Sequence, residues 1–217
     1  LLTIWLNYMV NIESATIQAT EEKILSAATL IFRARGKEGA RMQDIADEAG
    51  INKALLHYYF HSKDLLFEKV FKENSNLFFS KLNQIIQSDT ALFDKIDNLC
   101  DAYISMSLEN PFIPILIIDE SNKNPSEFIQ KLFSGSNKKP NFNTFKEQIR
   151  LEVKAGKIKP TNPEHLIMNI LGLCIFPVIS RPMMKFTMGL SDREFTLAME
   201  ERKKIVPAFI IESIRKK

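Results

Sequence analysis

The sequence predicts an all-α protein with a three-helix, helix-turn-helix unit near its N-terminus and a larger helical domain after it. Three observations carry this. Apolar residues recur at helical spacing over most of the chain. Only 7 glycines and 9 prolines occur in 217 residues, alongside long periodic segments. Between Arg41 and Lys63 two short periodic segments flank a glycine and a capping asparagine, the pattern of two helices meeting at a tight turn.

Residues 1–12, LLTIWLNYMVNI, are apolar but have no basic leading segment and no small-residue cleavage site, which argues against a signal peptide. Either the natural start is Met9 and the first eight residues are extra, or an apolar arm packs on the body or on a partner. Residues 1–19 are read as an N-terminal extension. The first helix is expected from Thr20, as N-cap, to Arg35, with Glu21 and Glu22 near its positive end. Ile24, Ala27, Ala28, Ile31 and Phe32 form its stripe and Gly36 closes it.

In the next helix Met42, Ile45, Ala46 and Ala49 share one side and leave Gln43, Asp44, Asp47 and Glu48 on the other. Gly50 can end it in a left-handed conformation, and the Asn52 side chain can cap its successor. That successor, Lys53 to Tyr59, sets Leu56, Tyr59 and Phe60 on one face against Lys53, Ala54, His57 and Tyr58 on the other. Basic and aromatic groups turned outward from the second of two such helices describe a reader of the DNA major groove. Ser62 should cap a long helix running to about Gln87.

The stretch IADEAGINKALLHYYFHSKDLL, extended back through Ile24, Ala27, Ala28, Phe32 and Gly36, closely resembles the signature of the tetracycline-repressor (TetR) family of bacterial transcription regulators. The resemblance covers roughly residues 20 to 70. It implies a DNA-binding domain over 20–70, with its helix-turn-helix at 41–60, and an effector-binding and dimerisation domain over 71–217. It also implies a homodimer that represses from a palindromic operator and is released by a small-molecule effector. The DNA contacts it implies are Arg41, Gln43, Asn52, Lys53, Ala54, Leu55, His57, Tyr58, Tyr59 and Lys63. Lys53 suits guanine O6 and N7 or a phosphate, and Ala54 suits a thymine methyl. Leu55 either packs or meets a methyl, and Tyr59 is either core or a phosphate donor. Lys63 matches the family's phosphate anchor, at a helix start that itself favours anions. Where relatives carry Thr or Ser before the first reading helix, Ala40 and Arg41 stand here, which puts a guanidinium in place of a hydroxyl.

Beyond residue 74 the chain reads as helices. Leu92, Ile96, Leu99, Tyr103 and Met106 mark one stripe, Pro111, Pro114 and Pro125 punctuate shorter helices, and Ser134 to Pro140 is a loop. Phe142 to Ala155 is a helix closed by Gly156, Pro163 to about Arg181 is strongly apolar, and Asp192 to Arg215 is the last helix. In relatives the last two long helices pair with their copies, so Glu164–Ser180 and Glu194–Ile214 are the expected dimer surfaces. Candidate linings of an effector pocket are Phe93, Tyr103, Phe112, Phe128, Phe145, Cys174 and Phe176, each also explained as ordinary core. Polar groups are few on these stripes, His165 and Tyr103 being the exceptions, which points to a hydrophobic effector.

Composition narrows the alternatives. An apolar fraction of 45% excludes a disordered chain. Residues 20 to 70 carry eight Lys/Arg and eight Asp/Glu, so DNA affinity must come from where charges sit rather than from bulk. Cys100 and Cys174 show neither zinc spacing nor a disulfide framework, which fits a reducing cytoplasm and no cofactor. Apolar runs are too short or interrupted for a membrane span, and no membrane partner is expected. Neither GxSxG, a phosphate-cradling glycine loop nor HExxH occurs, and three histidines leave little general-base capacity, which argues against an enzyme. A structural DNA-binding dimer without an effector is the nearer alternative.

Overall fold

The computed structural model describes residues 2–123, 125–133 and 139–216, the side chains of 2–16, 120 and 131 excepted. The described residues form eleven helices, with an isolated antiparallel bridge between Ile158 and Arg215. The chain divides into two compact units, Leu1–Asn74 and Ser75–Lys217.

The first unit holds α1 (Leu2–Gly39), α2 (Met42–Glu48), α3 (Lys53–Tyr59) and the start of α4 (Lys63–Gln87). Thr20 is not an N-cap: it lies inside α1, which begins at Leu2. Residues 2–19 contain no Gly or Pro, so nothing stops the helix from propagating back through them. Gly36 does break it, with φ 66° and ψ 176°, a conformation that side-chain-bearing residues avoid. The expected stripes meet in one core: Ile24, Ala28 and Phe32 of α1, Ile45 and Ala46 of α2, Leu56 of α3, and Leu66 and Val70 of α4 are all fully buried. Phe32 and Phe67 pack edge to face at 4.9 Å, the arrangement their ring quadrupoles favour.

The second unit is built around α5 (Leu92–Glu109), which packs against α6 (Phe112–Lys123), α8 (Asn143–Lys154), α9 (Pro163–Ile179) and α11 (Asp192–Ile214). Pro125 opens α7 (Pro125–Phe133), whereas Pro114 lies within the first turn of α6, where its missing N–H leaves no bond unmade. Gly156, at φ 69°, ends α8. Of the expected Ser134–Pro140 loop, residues 134–138 lie outside the described residues.

The apolar segment from Pro163 does not run straight to Arg181. It breaks at Ser180, and a separate α10 (Arg181–Met188) leaves at 75° to α9. Pro182 cannot donate to the carbonyl four residues earlier, which stops α9 from continuing. Among the described residues no single helix is long and apolar enough to cross a membrane. Neither Pro177 within α9 nor Pro207 within α11 ends its helix.

Candidate nucleic-acid interface

The corner between α2 and α3 is set by local chemistry. Gly50 adopts φ 62° and the Leu55 N–H donates to Asn52 Oδ1 at 2.7 Å, so turn and cap form where the sequence places them. The Ile51 N–H returns to the Ala46 carbonyl at 3.0 Å and locks α2 to the turn. Burial of Leu56 and Phe60 then fixes the roll of α3. On the opposite face Lys53, Ala54, His57 and Tyr58 are exposed together. Tyr58 is 74% exposed, a large aromatic that no neighbour covers. Its ring stands edge-on to Tyr59 at 5.5 Å, and Tyr59 is half-buried. Leu55, at 37% exposure, sits on the border between the two faces.

The flanking groups are more constrained. Arg41 is exposed at the extended residue before α2 and makes no capping bond. Gln43 is exposed, but its Nε2 donates to Asp47 Oδ1 at 2.8 Å, so its amide is engaged along α2. His57 Nδ1 lies 3.4 Å from the His61 carbonyl. Lys63 is half-buried, its Nζ turned to the carbonyls of Glu38 at 3.5 Å and Ala40 at 3.4 Å. That ammonium therefore sits against the C-terminal end of α1, where a cation suits the helix dipole.

Four cations, Arg33, Arg35, Lys37 and Arg41, lie close in sequence just before and at the start of the reading helices, and they are not uniformly available. Arg35 is ion-paired to Asp44. Lys37 pairs with Asp64 at 2.9 Å and lies over the Phe67 ring at 5.4 Å. The Lys37 hydrogen bond and charge hold the Asp64 carboxyl below its usual range. Two of the four cations thus neutralise carboxylates within the unit.

In the second unit the candidate effector residues do not converge. An apolar hollow of about 10 Å³, the room of one water molecule, is lined by Tyr103 and Phe145 with Leu82, Ile86, Leu99 and Ile170 among its neighbours. Phe176 is 47% exposed and lines no interior. It follows Met168 and Gly172 along an outward face of α9, a helix apolar all round in which packing alone decides which stripe faces solvent. Phe93 carries the Arg215 guanidinium at 5.4 Å, and His165 is exposed rather than set in an apolar stripe. Phe112 and Phe128 are half-buried away from the hollow. Cys100 and Cys174 are free and buried, and the neighbouring Cys174 sulfur together with burial pushes the Cys100 thiol well above its ordinary range.

Two features of this unit escape a sequence reading. Lys95 is only 2% exposed and donates to the Ile86 carbonyl at 3.1 Å, closing the end of α4. Its desolvation lowers its pKa. Ser75 and Ser107 are fully buried in the apolar stripes of α4 and α5. Their sequence signal is a polar residue at an apolar helical phase, which is easily taken for a tolerated small residue.

Comparison with known proteins places this geometry. Residues 24–70 match the family described as bacterial regulatory proteins, tetR family. The chain is 29% identical over 157 residues to the HTH-type transcriptional regulator RutR of Escherichia coli K12, covering 72% of this chain and 73% of RutR. It is 25% identical over 139 residues to the HTH-type transcriptional repressor KstR2 of Mycolicibacterium smegmatis, covering 64% of this chain and 67% of KstR2. Among solved structures, the hemolysin II transcriptional regulator HlyIIR aligns with a TM-score of 0.53 at 27% identity, covering 92% of this chain and 99% of HlyIIR.

Proposed function

The chain belongs to the tetR family of bacterial regulatory proteins, and on that premise we propose that it is a DNA-binding transcriptional repressor released from its operator by a small effector. The observation that carries the reading is the exposed face of α3, where Lys53, Ala54, His57 and Tyr58 stand together over a buried Leu56. A short helix held by its core and its cap, with donors and an aromatic outward, suits the major groove. Arg41 and the start of α4 flank it as phosphate contacts, which position the reader without carrying sequence information. Its relatives are regulators of transcription, and the proposed role is binding rather than catalysis, in the cytoplasm where the DNA lies.

Reading a palindrome requires two copies. Met168, Gly172 and Phe176 on α9, four residues apart, and Leu197, Ile205 and Phe209 on α11, eight and four apart, form outward faces, and these support a homodimer. The small hollow favours a second reading, a DNA-binding dimer with no effector, unless side chains around Tyr103 move to admit one. Sequencing the genomic fragments the protein retains, then titrating the best of them with and without candidate effectors, separates the two. A palindromic site whose affinity falls on effector addition is expected. Retention of DNA without sequence preference would overturn the regulator, and an affinity that no compound alters would leave only the effector-free dimer.

A further inference from the structure

The outward row of α11 is apolar except at one position. Leu197, Ile205 and Phe209 are exposed, and Glu201 completes their four-residue spacing in the middle of the row. Glu201 is itself exposed and has no ion-pair partner among the described residues. Its neighbour Glu200, by contrast, is paired with Lys203 at 2.6 Å.

One residue on, Arg202 is half-buried at the border of this row, on the side that meets α9. Its Nη2 donates to the Leu173 carbonyl at 2.8 Å. That carbonyl has no partner within its own helix, because the residue four positions on is Pro177, which carries no N–H. The bond holds the guanidinium level with Gly172, an exposed position with open space where a side chain would stand. Arg202 Nε is buried without a hydrogen-bond partner, and no carboxylate neutralises the group among the described residues. A guanidinium carries a full charge and five donors, so one bond to a carbonyl leaves this site incomplete.

Residues adjacent on a helix do not face each other, so Glu201 and Arg202 of one chain do not answer each other. Across a two-fold they do. Where two α11 helices cross antiparallel beside residues 201 and 202, each Glu201 meets Arg202 of the second copy, and the contact occurs twice. We propose that these two residues form a reciprocal ionic lock at the centre of the contact between two copies of this chain. Lys204 is exposed on the same helix and keeps its water, so it gains less from a carboxylate than the half-buried guanidinium does. The inference rests on the homodimer reading above and adds to its apolar faces the contact that sets their register. An apolar row alone tolerates sliding by one turn, whereas a slip here buries a carboxylate away from its cation.

The test is a double-mutant cycle on the full-length protein: wild type, Glu201→Ala, Arg202→Met and the two together, with the dimer dissociation constant read by sedimentation. The sign at Glu201 decides first. A lone carboxylate in an apolar contact opposes assembly, so its removal would leave the constant level or lower it. In the lock, Glu201→Ala leaves two guanidinium groups buried and unpaired, and should raise the constant at least about tenfold. In the Arg202→Met background the same change should cost nothing further. A level or lowered constant for Glu201→Ala overturns the lock, and so does a rise that persists undiminished in the Arg202→Met background. Glu201 is exposed in the single chain, so its variant keeps the fold. Should Arg202→Met not fold, the cycle is run with Lys204→Ala instead. A cost at Glu201 that survives there supports Arg202, and one that disappears transfers the pair to Lys204 and overturns the proposal. A wild type that stays monomeric at micromolar concentration sinks the homodimer and the lock with it, whereas a dimer indifferent to Glu201 sinks the lock alone.

Discussion

At the scale of the residue, Lys53 and Lys63 carry the same charge and should fail differently. Lys53 is exposed at the first position of α3, on the face proposed to meet base edges. Lys53→Ala should cost about 1–3 kcal/mol at the operator and relax preference at one base pair. Lys63 is held against the carbonyls of Glu38 and Ala40 at the start of α4, the helix end proposed to meet a phosphate. Lys63→Ala should weaken all duplexes alike and lower the salt slope by about one unit. Titrating both variants against operator and scrambled duplex across a salt series distinguishes them, and an inverted result would mean that α3 enters the groove on a different face. Much of this surface was legible in the sequence, since Gly50, Asn52 and Ser62 act through neighbours within three residues. The pairing of Arg35 with Asp44 and of Lys37 with Asp64 was not, because those partners lie 9 and 27 positions apart in sequence.

At the scale of the element, α11 begins with a reciprocal capping box. The Glu194 N–H donates to Ser191 Oγ at 3.3 Å, and the Ser191 N–H donates to Glu194 Oε2 at 2.8 Å. The Ser191 hydroxyl and backbone bonds hold the Glu194 carboxyl below its ordinary value of 4.5. A depressed carboxylate stabilises the fold above that value and loses the contribution as pH falls through the lower, folded pKa. Ser191→Ala should destabilise by about 1 kcal/mol at neutral pH. Glu194→Gln should flatten the acid limb of a denaturation series run below pH 4.5, and an unchanged limb would remove Glu194 from the account. The S-x-x-E pattern is visible in the chain, as is the helix after it. The 75° turn between α9 and α10 is less so, because Pro177 and Pro182 lie five residues apart and only the second coincides with a break.

At the scale of the whole molecule, the outward apolar faces of α9 and α11 set the expectation for assembly. Ile205 is 56% and Phe209 66% exposed in the single chain, too much apolar surface on one face to leave without a partner. The double variant Ile205→Glu, Phe209→Glu should shift the light-scattering mass at micromolar concentration from dimer to monomer. It should also abolish palindrome binding while leaving α1–α3 folded by amide-exchange protection. A wild type that is already monomeric would refute the dimer. What the sequence determined by itself was whatever acts over a turn or two: helix identity, the cap at Asn52, the left-handed Gly50, the buried Leu56, and with them the face of α3. These depend on backbone geometry and on a 3.6-residue period that the chain carries wherever it folds. The tertiary structure decided which stripe of an all-round apolar helix turns inward, and so exposed Phe176 while burying Cys174. It also sank Lys95 onto the end of α4, because that outcome depends on which helices meet, and the pattern within one helix leaves that open.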